Sequence, residues 1–138
     1  MDVDPLRSIS AIAASGMHAQ SHRLKVTAEN VANANSTGAT PSEDPYRRQT
    51  IAFAEMLDRS TGATLVQVEA IGRDQSEFPL QYDPGHPAAD ENGYVRTPNV
   101  SSIIEMNNMR EAARSYEANM NMYEAARTMR RQMLDLLK

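Results

Sequence analysis

The amino-acid sequence predicts a mainly α protein with a small β region in the middle of the chain. Both ends carry apolar residues at helical spacing, whereas the centre is rich in proline, glycine and turn-forming residues. One central stretch alternates apolar and polar residues, as a half-buried strand does. We expect an N-terminal helix within residues 1–36, a linker with a small β region and a Pro/Gly-rich loop in 37–100, and a C-terminal helix in 101–138. The two long helices are expected to form a coiled-coil-like pair.

Composition and charge exclude several functions. The 138-residue chain has a net charge of −4 and no cysteine, which rules out disulfides and thiolate metal sites. No basic stripe stands out, so nucleic acid is not an expected partner. No segment approaches the roughly 20 apolar residues of a membrane span, and the N-terminus lacks the pattern of a cleaved signal peptide. If the chain is exported, we expect a route that reads no cleaved signal.

The first helix is predicted from Leu6 to about Ala34. Its packing positions follow two lines with a seven-residue repeat. The apolar line contains Met17, Leu24 and Val31, and the second line contains Ala13, Gln20, Thr27 and Ala34. Asn33, Asn35 and Gly38 are expected to end the helix.

The central segment is predicted to hold loops and short strands. Residues 35–46 are nearly all turn formers, so we expect a mobile loop there. An extended segment is predicted at 46–54, an ambiguous one at 55–62, and strands at 64–72 and 78–82. Residues 83–100 contain three prolines and two glycines and are expected to form a long ordered loop.

The C-terminal helix is predicted over residues 101–137, which contain no glycine or proline. Ser101 or Ser102 can cap it, and Glu105 lies in its first turn. The predicted packing stripe runs through Met109, Ala113, Tyr116, Met120, Tyr123, Ala126, Met133 and Leu137. A second apolar line lies beside it, at Met122, Met129 and Leu136.

Both helices are too long for the chain to bury alone. About 37 helical residues span roughly 55 Å, whereas a compact chain of this length is only about 37 Å across. Two apolar lines on one helix also need more than one helical neighbour. Since no third long helix is predicted, we expect the missing neighbours to come from other molecules. The alternative is an ordinary monomer with a helical hairpin.

No pattern predicts catalysis, a metal or a cofactor. His18 and His22 lie at i and i+4, but a metal site needs three or four converging ligands, which favours two surface histidines. Four titratable residues share one loop: Asp83, His86, Asp90 and Glu91. An enzyme using His86 and Asp90 is conceivable, but no partner nucleophile is evident, so a structural loop is favoured.

Two pairs of adjacent arginines are also present, Arg47–Arg48 and Arg130–Arg131. We interpret both pairs as solvated or as salt-bridged to a neighbouring subunit rather than as nucleic-acid contacts.

Three stretches of the chain carry recognisable motifs: residues 24–38, LKVTAENVANANSTG, residues 82–100, and residues 113–120, ARSYEANM. Together they resemble the flagellar basal-body rod family. Residues 24–38 are similar to the N-terminal signature of rod and hook proteins. Residues 82–100 resemble the middle loop of its proximal-rod branch, and 113–120, ARSYEANM, resemble its C-terminal helix. The motif residues are Asn30, Ala32, Asn33, Asn35, Gly38, Asp83, Pro84, Gly85, Pro87, Gly93, Tyr94, Pro98 and Asn99. Many family members place an aromatic residue after the signature glycine, whereas here Ala39 follows, which leaves the path of 39–45 open.

The resemblance implies a structural subunit of the proximal rod, the drive shaft for flagellum-dependent motility, with no catalytic residue or cofactor. It implies export by the flagellar type III apparatus and a place in the periplasmic rod. Partners would be copies of itself and other rod proteins in a helical assembly, and the export apparatus or membrane ring at the rod base.

The residues expected at the assembly interface come from both helices. On the N-terminal helix they are Ala13, Met17, Leu24 and Val31, and on the C-terminal helix Met109, Tyr116, Met120, Tyr123, Met133 and Leu137. The alternative function is a soluble coiled-coil adaptor or chaperone that forms a small oligomer.

Overall fold

The computed structural model describes residues 4–136 and places a helix at each end, with strands between them. The elements in chain order are α1 Pro5–Ala32, β1 Gln49–Asp58, β2 Ala63–Arg73, β3 Leu80–Tyr82, β4 Tyr94–Arg96 and α2 Ser102–Leu136. Strand β1 pairs with β2, and β3 pairs antiparallel with β4. The predicted combination of two long helices with a small central β region is therefore confirmed.

The chain divides into two compact units, each assembled from separated stretches. The first unit comprises Met1–Leu24, Ala52–Ala70 and Arg110–Lys138, and the second comprises Lys25–Ile51 and Ile71–Met109. Both long helices and the β1–β2 pair therefore contribute residues to each unit.

Helix α1 ends at Ala32, two residues before the predicted end, because Asn33 closes it. The Asn33 side-chain Nδ2 donates to the Glu29 carbonyl at 2.8 Å. The backbone N–H of Ala34 donates to the Val31 carbonyl at 3.2 Å, which tightens the last turn. The Glu29 carbonyl also accepts the backbone N–H of Asn33 at 3.1 Å, so this asparagine binds the last turn through both its backbone and its side chain.

In the first unit, α1 and α2 approach closely where their side chains are small. A Cβ atom added at Gly16 would lie 2.7 Å from Nδ2 of Asn119, whose amide lies across the glycine. Four alanines are the buried apolar residues of these helix segments: Ala13, Ala19, Ala112 and Ala126. An ion pair between Arg23 and Glu111, at 3.3 Å, also joins the two helices. Small residues therefore set the distance between the helices at this point.

Serines of α1 hold the backbone of the β1–β2 pair in the first unit. Ser8 Oγ donates to the Thr61 carbonyl at 3.1 Å, and the Val66 N–H donates to Ser15 Oγ at 3.3 Å. These hydrogen bonds use the short side chains of a helix face to fix an adjacent strand and turn.

Residues 55–58, whose secondary structure is ambiguous from the sequence, belong to strand β1. The turn between β1 and β2 is organised by Asp58. Its carboxylate accepts hydrogen bonds from Ser60 N–H and Oγ and from Thr61 Oγ1, at 2.9, 2.7 and 2.8 Å. The Ser60 hydroxyl, followed by the Ser60 N–H, keeps the pKa of Asp58 below its usual range. Gly62 completes the turn at φ +66°, a conformation that suits glycine.

The expected loop at 83–100 is wrong at residues 94–96, which form β4. Asp90 Oδ1 accepts the Tyr94 N–H at 2.8 Å, and the Asp90 N–H donates to the Tyr94 carbonyl at 2.9 Å. The Asp90 turn therefore forms hydrogen bonds with the edge of β4 that faces away from β3. Strand β3 begins only at Leu80, because Pro79 has no N–H to give to a ladder.

We predict that Gly16→Ala destabilises the native protein but stabilises an Asn119→Ala variant. An alanine at a helical glycine normally gains about 1 kcal/mol, yet here its methyl group would collide with the Asn119 amide. Removing that amide lets the helix propensity dominate. Urea unfolding of the wild type, both single variants and the double variant measures this coupling. Additive effects would show that the two residues do not limit the packing.

Candidate functional site: a buried polar cluster and exposed helical faces

The side-chain amide of Asn30, which is fully buried, has all four of its hydrogen-bonding positions occupied. Its Nδ2 donates to the Gln49 carbonyl at 2.9 Å and to Glu105 Oε2 at 3.2 Å. Its Oδ1 accepts from the Tyr46 hydroxyl at 2.9 Å and from the Gln49 N–H at 2.8 Å. The end of α1, the chain before β1 and the start of α2 thus meet at one amide in the second unit.

A buried ion pair continues from this amide. Glu105, 1% exposed, accepts a hydrogen bond from Arg48 Nε at 2.5 Å through its other carboxylate oxygen. Nη1 of Arg48 lies 3.7 Å from Asp74. Because a buried carboxyl group is costly without partners, Arg48 and Asn30 are both needed to satisfy the Glu105 oxygens there.

The segment around Asp74 and Asn99 completes the set. Asn99 Oδ1 accepts the Arg48 N–H at 2.8 Å, and Asn99 Nδ2 donates to the Asp74 carbonyl at 3.1 Å. We call Asn30, Tyr46, Arg48, Gln49, Asp74, Asn99 and Glu105 the Asn30 cluster. It joins five stretches of the second unit that are far apart in sequence.

The interpretation of Arg47 and Arg48 as solvated or bound to a neighbour is wrong. Arg48 pairs with Glu105 of its own chain, and Arg47 Nη1 donates to the Asp74 and Ser76 carbonyls, each at 3.0 Å. The Arg47 guanidinium also lies 4.1 Å from the centre of the Phe78 ring. The partners of the two guanidinium groups are two backbone carbonyls and two acids that are distant in sequence, which no local charge pattern could indicate.

Of this cluster, the sequence singled out Asn30 and Asn99 as motif residues. Glu105 was recognised only as an acid in the first turn of a helix. A signal for its burial does exist, because Glu105, Ala112, Asn119 and Ala126 form a line with a seven-residue repeat. Its members are buried or half-buried, whereas several Met and Tyr residues of the predicted stripe are exposed.

The path of residues 39–45, which the sequence left open, is fixed by Arg96 of β4. Its Nη1 lies 2.6 Å from Asp44 Oδ1, and its Nη2 donates to the Pro41 and Glu43 carbonyls at 3.2 and 3.3 Å. A Cβ atom at Gly38 would lie 2.5 Å from the Glu43 carbonyl oxygen. Only glycine fits this close approach of backbone, which explains the motif glycine.

Two titratable residues of the loop after β3, His86 and Asp90, accept hydrogen bonds from the loop backbone. His86 Nδ1 accepts the Ala88 N–H at 3.0 Å, so its proton is on Nε2, which lies 3.2 Å from Thr37 Oγ1. Asp90 Oδ1 accepts the N–H groups of Asn92 and Tyr94. Over residues 4–136, no three histidine or acidic side chains converge as a metal site requires. His18 and His22 pack ring to ring, with centroids 4.7 Å apart.

The other motif residues are mostly accessible. Pro98 and Gly93 are buried, Asn33 is half-buried, and Ala32, Asn35, Asp83, Pro84, Gly85, Pro87 and Tyr94 are exposed. Gly93 adopts φ +82°, and an added Cβ would lie 2.9 Å from the Tyr82 ring. The turn therefore requires a glycine here.

The residues predicted for the assembly interface differ in exposure. Ala13 is buried, and the half-buried ones are Met17, Leu24, Val31, Met109 and Tyr116. Met120, Tyr123 and Met133 are 39%, 37% and 57% exposed. Leu137 lies outside the described residues. The stripe on α2 thus passes from half-buried to exposed along the helix.

The later part of α2 presents a wide apolar surface. Besides the three exposed stripe residues, Met122, Met129, Leu134 and Leu136 are exposed. These side chains lie on more than one face of the helix, because the nine residues from Met120 to Met129 turn it by about 180°. Exposed apolar surface is typical of interaction sites, and methionine side chains adapt to neighbours of varied shape. No helix within residues 4–136 is long and apolar enough to cross a membrane.

Long helices with exposed apolar faces, together with loops whose polar groups support the backbone, define a structural protein with assembly surfaces. Residues 11–40 match the family model described as "Flagella basal body rod protein", and 91–136 match "Flagellar basal body rod FlgEFG protein C-terminal". Three relatives carry the name "Flagellar basal-body rod protein FlgC".

The relative from Agrobacterium fabrum is 50% identical over 99% of this chain and 98% of its own. The relative from Salmonella typhimurium is 40% identical over 95% and 97% of the two chains, and that from Borreliella burgdorferi 38% over 92% and 94%. The chain therefore belongs to the FlgC family of structural rod subunits of the flagellar basal body, which confirms the resemblance seen in the sequence.

We predict that Asn30→Asp destabilises the second unit by about 3 kcal/mol or more at neutral pH. A carboxylate at this position loses two donors and places negative charge beside Glu105. Acid should partly relieve the loss, because one proton shared by two carboxyl groups removes the repulsion. Urea unfolding at pH 7 and pH 5 measures the effect, with exposed Asn35→Asp as the matched control. Equal losses in both variants would contradict the role of the cluster.

Asp74 should contribute to acid sensitivity. The Ser76 N–H, at 2.9 Å, is the main reason that the pKa of Asp74 lies below its usual range, with the Ser76 hydroxyl and then Arg48 and Arg47 adding to it. A lowered folded-state pKa gives stability that is present above the unfolded-state pKa and lost as the pH falls through the folded value. We predict that Asp74→Asn is less stable at pH 7 and loses less stability between about pH 4 and 2. Urea midpoints across this range, with Glu77→Gln as control, test this, and unchanged slopes would contradict it.

Proposed function

We propose that this chain polymerises through its two terminal helices, with copies of itself and with other rod proteins, into the proximal rod. This rod would be the drive shaft for flagellum-dependent motility. The observation that carries the proposal is that apolar side chains on more than one face of α2, among them Met120, Met129 and Leu134, remain exposed. A helix that is apolar on more than one face is stabilised by several neighbouring helices, and a rod of like subunits supplies them.

We further propose that α1 and α2 form a coiled-coil-like pair at the inner part of the rod. Support comes from the first unit, where Gly16 meets Asn119 and Arg23 pairs with Glu111. The seven-residue repeat on both helices also supports it, since such a repeat keeps one seam facing a partner helix. In this proposal residues 1–36 and 101–138 are the rod-forming parts, and residues 37–100 provide the β and loop region.

The place of the chain in the cell is also a proposal. We infer that the flagellar type III apparatus exports it without a cleaved signal, and that it assembles in the periplasm next to the export apparatus or membrane ring. The names of its relatives support a basal-body location. A chain with no cysteine needs no disulfide chemistry after passage. In this role it carries no catalytic residue, cofactor or nucleic-acid site.

We predict that Met120→Gln combined with Tyr123→Ser abolishes swimming while leaving the chain as abundant as the wild type. Both residues are more than one-third exposed, so their polar replacement costs the subunit little but removes apolar contact with a neighbour. Motility in soft agar, and the presence of the chain in purified basal bodies, measure the effect. Asn121→Gln, exposed on the same helix, is the matched control. Normal motility of the double variant would contradict the proposed seam.

A further inference from the structure

An open cavity of about 380 Å³ lies in the first unit, between α1, the β1–β2 pair and α2. Its apolar wall is formed by Ile12, Leu65 and Val66, and its rim includes Glu55 and Thr64. The cavity has room for one long side chain. Gly16 forms part of its floor, where the Asn119 amide crosses the helix.

One polar atom beside this cavity lacks a partner among the described residues. Oε1 of Gln20 is buried and accepts no hydrogen bond, and a buried acceptor without a donor costs about 1–3 kcal/mol. Gln20 lines the cavity, and the terminal torsion of a glutamine side chain is soft, so turning the amide would bring its oxygen to a donor that enters from outside. The structure therefore contains an unsatisfied acceptor beside a space that another molecule can enter.

The other polar groups of the lining also favour a donor. Glu55 contributes a carboxylate, and Asn119 contributes its Oδ1, while one N–H of its Nδ2 is bound to the Ser115 carbonyl at 2.8 Å. Within residues 4–136, no lysine, arginine or histidine lines the cavity. A lining of acceptors with an apolar wall fits a guanidinium, which donates up to five hydrogen bonds from an apolar stem.

Arg130 on α2 has the matching chemistry. It is exposed, and its helical neighbours at i±3 and i±4 are Ala126, Arg127, Met133 and Leu134, none of them acidic. Met133 and Leu134 are themselves exposed. Arg130 therefore has no carboxylate along its own helix face and lies beside apolar side chains that suit the apolar wall of the cavity.

Arg130 cannot reach the cavity of its own chain. Eleven residues separate it from Asn119 on the same helix, which is about 16 Å along the axis, well beyond the length of an arginine side chain. A second copy of the chain has no such restriction. Because the cavity and the arginine are different surfaces, the contact would be head-to-tail and would continue from copy to copy in a ring or a helical filament, rather than close a two-fold dimer.

We propose that the cavity around Gln20 receives Arg130 of a second copy of this chain. With the Gln20 amide turned toward the cavity, the guanidinium donates to Gln20 Oε1 and Asn119 Oδ1 and pairs with Glu55, while Met133 and Leu134 pack against the apolar wall. This inference rests on the proposed function, and it specifies one polar contact that sets the register between neighbouring rod subunits.

Cross-linking in assembled rods tests the contact, since the cysteine-free chain allows unambiguous thiol chemistry. Thr64→Cys and Arg130→Cys copies are co-expressed in motile cells. Purified basal bodies are then treated with a bismaleimide whose spacer is comparable to an arginine side chain. We expect a cross-linked dimer only when both variants are present, and a ladder of multimers from the double-cysteine chain. Gln132→Cys, on the opposite side of α2, is the matched control for Arg130→Cys.

Charge exchange gives a second readout. We expect Arg130→Glu to reduce incorporation into basal bodies by at least about tenfold, and Glu55→Arg in the same chain to restore most of it. A chain present in rods without the 64–130 link, or with equal linking to residue 132, would overturn the contact and leave the proposed function intact. Symmetric 64–64 links would overturn it too. Absence of the wild-type chain from basal bodies would instead count against the proposed function itself.

Discussion

A buried amide has two donors and two acceptor positions, and each one left without a partner reduces stability. Asn30 occupies all four with groups of three residues that come from two separate stretches of chain. The start of β1, the hydroxyl of Tyr46 and the first turn of α2 must therefore all be in place together. Glu105 then requires Arg48, and the Arg48 backbone requires Asn99. Hydrogen bonds in such a network reinforce one another, because the low local dielectric strengthens each bond and raises the cost of losing any.

The two units differ in how they pack and in how their buried polar groups find hydrogen-bond partners. In the second unit, buried polar groups find partners within the chain, and glycines at positions 38 and 93 permit the close approach of the loops. In the first unit, small side chains bring the helices together, yet a buried acceptor at Gln20 and a broad methionine-rich face remain without partners. The buried polar groups of the second unit are therefore satisfied within the chain, whereas the first unit keeps one buried acceptor that no described residue satisfies.

Periodicity and composition were sufficient to predict the helices, because a long apolar-periodic segment with little glycine or proline has few alternative secondary structures. They failed to predict structure that depends on a contact between residues far apart in sequence. Strand β4 depends on the Asp90 turn and its pairing with β3, and Arg48 depends on an acid 57 residues away. The motif identified Asn30 and Asn99 but not their partners, since a motif lists residue types and not the carbonyls they bind. The stripe through Met120 and Tyr123 remains a prediction about neighbouring molecules.

The sequence separation within the Asn30 cluster has a consequence for the order of folding. Asn30 and Glu105 are 75 residues apart, so a chain that becomes available from its N-terminus cannot complete the cluster until about three-quarters of it has emerged. Until then the Asn30 amide has no buried site, and the early segments stay hydrated and extensible. The last partner to arrive lies at the beginning of α2, so the closing of the cluster would coincide with the appearance of the helix that offers the apolar surface.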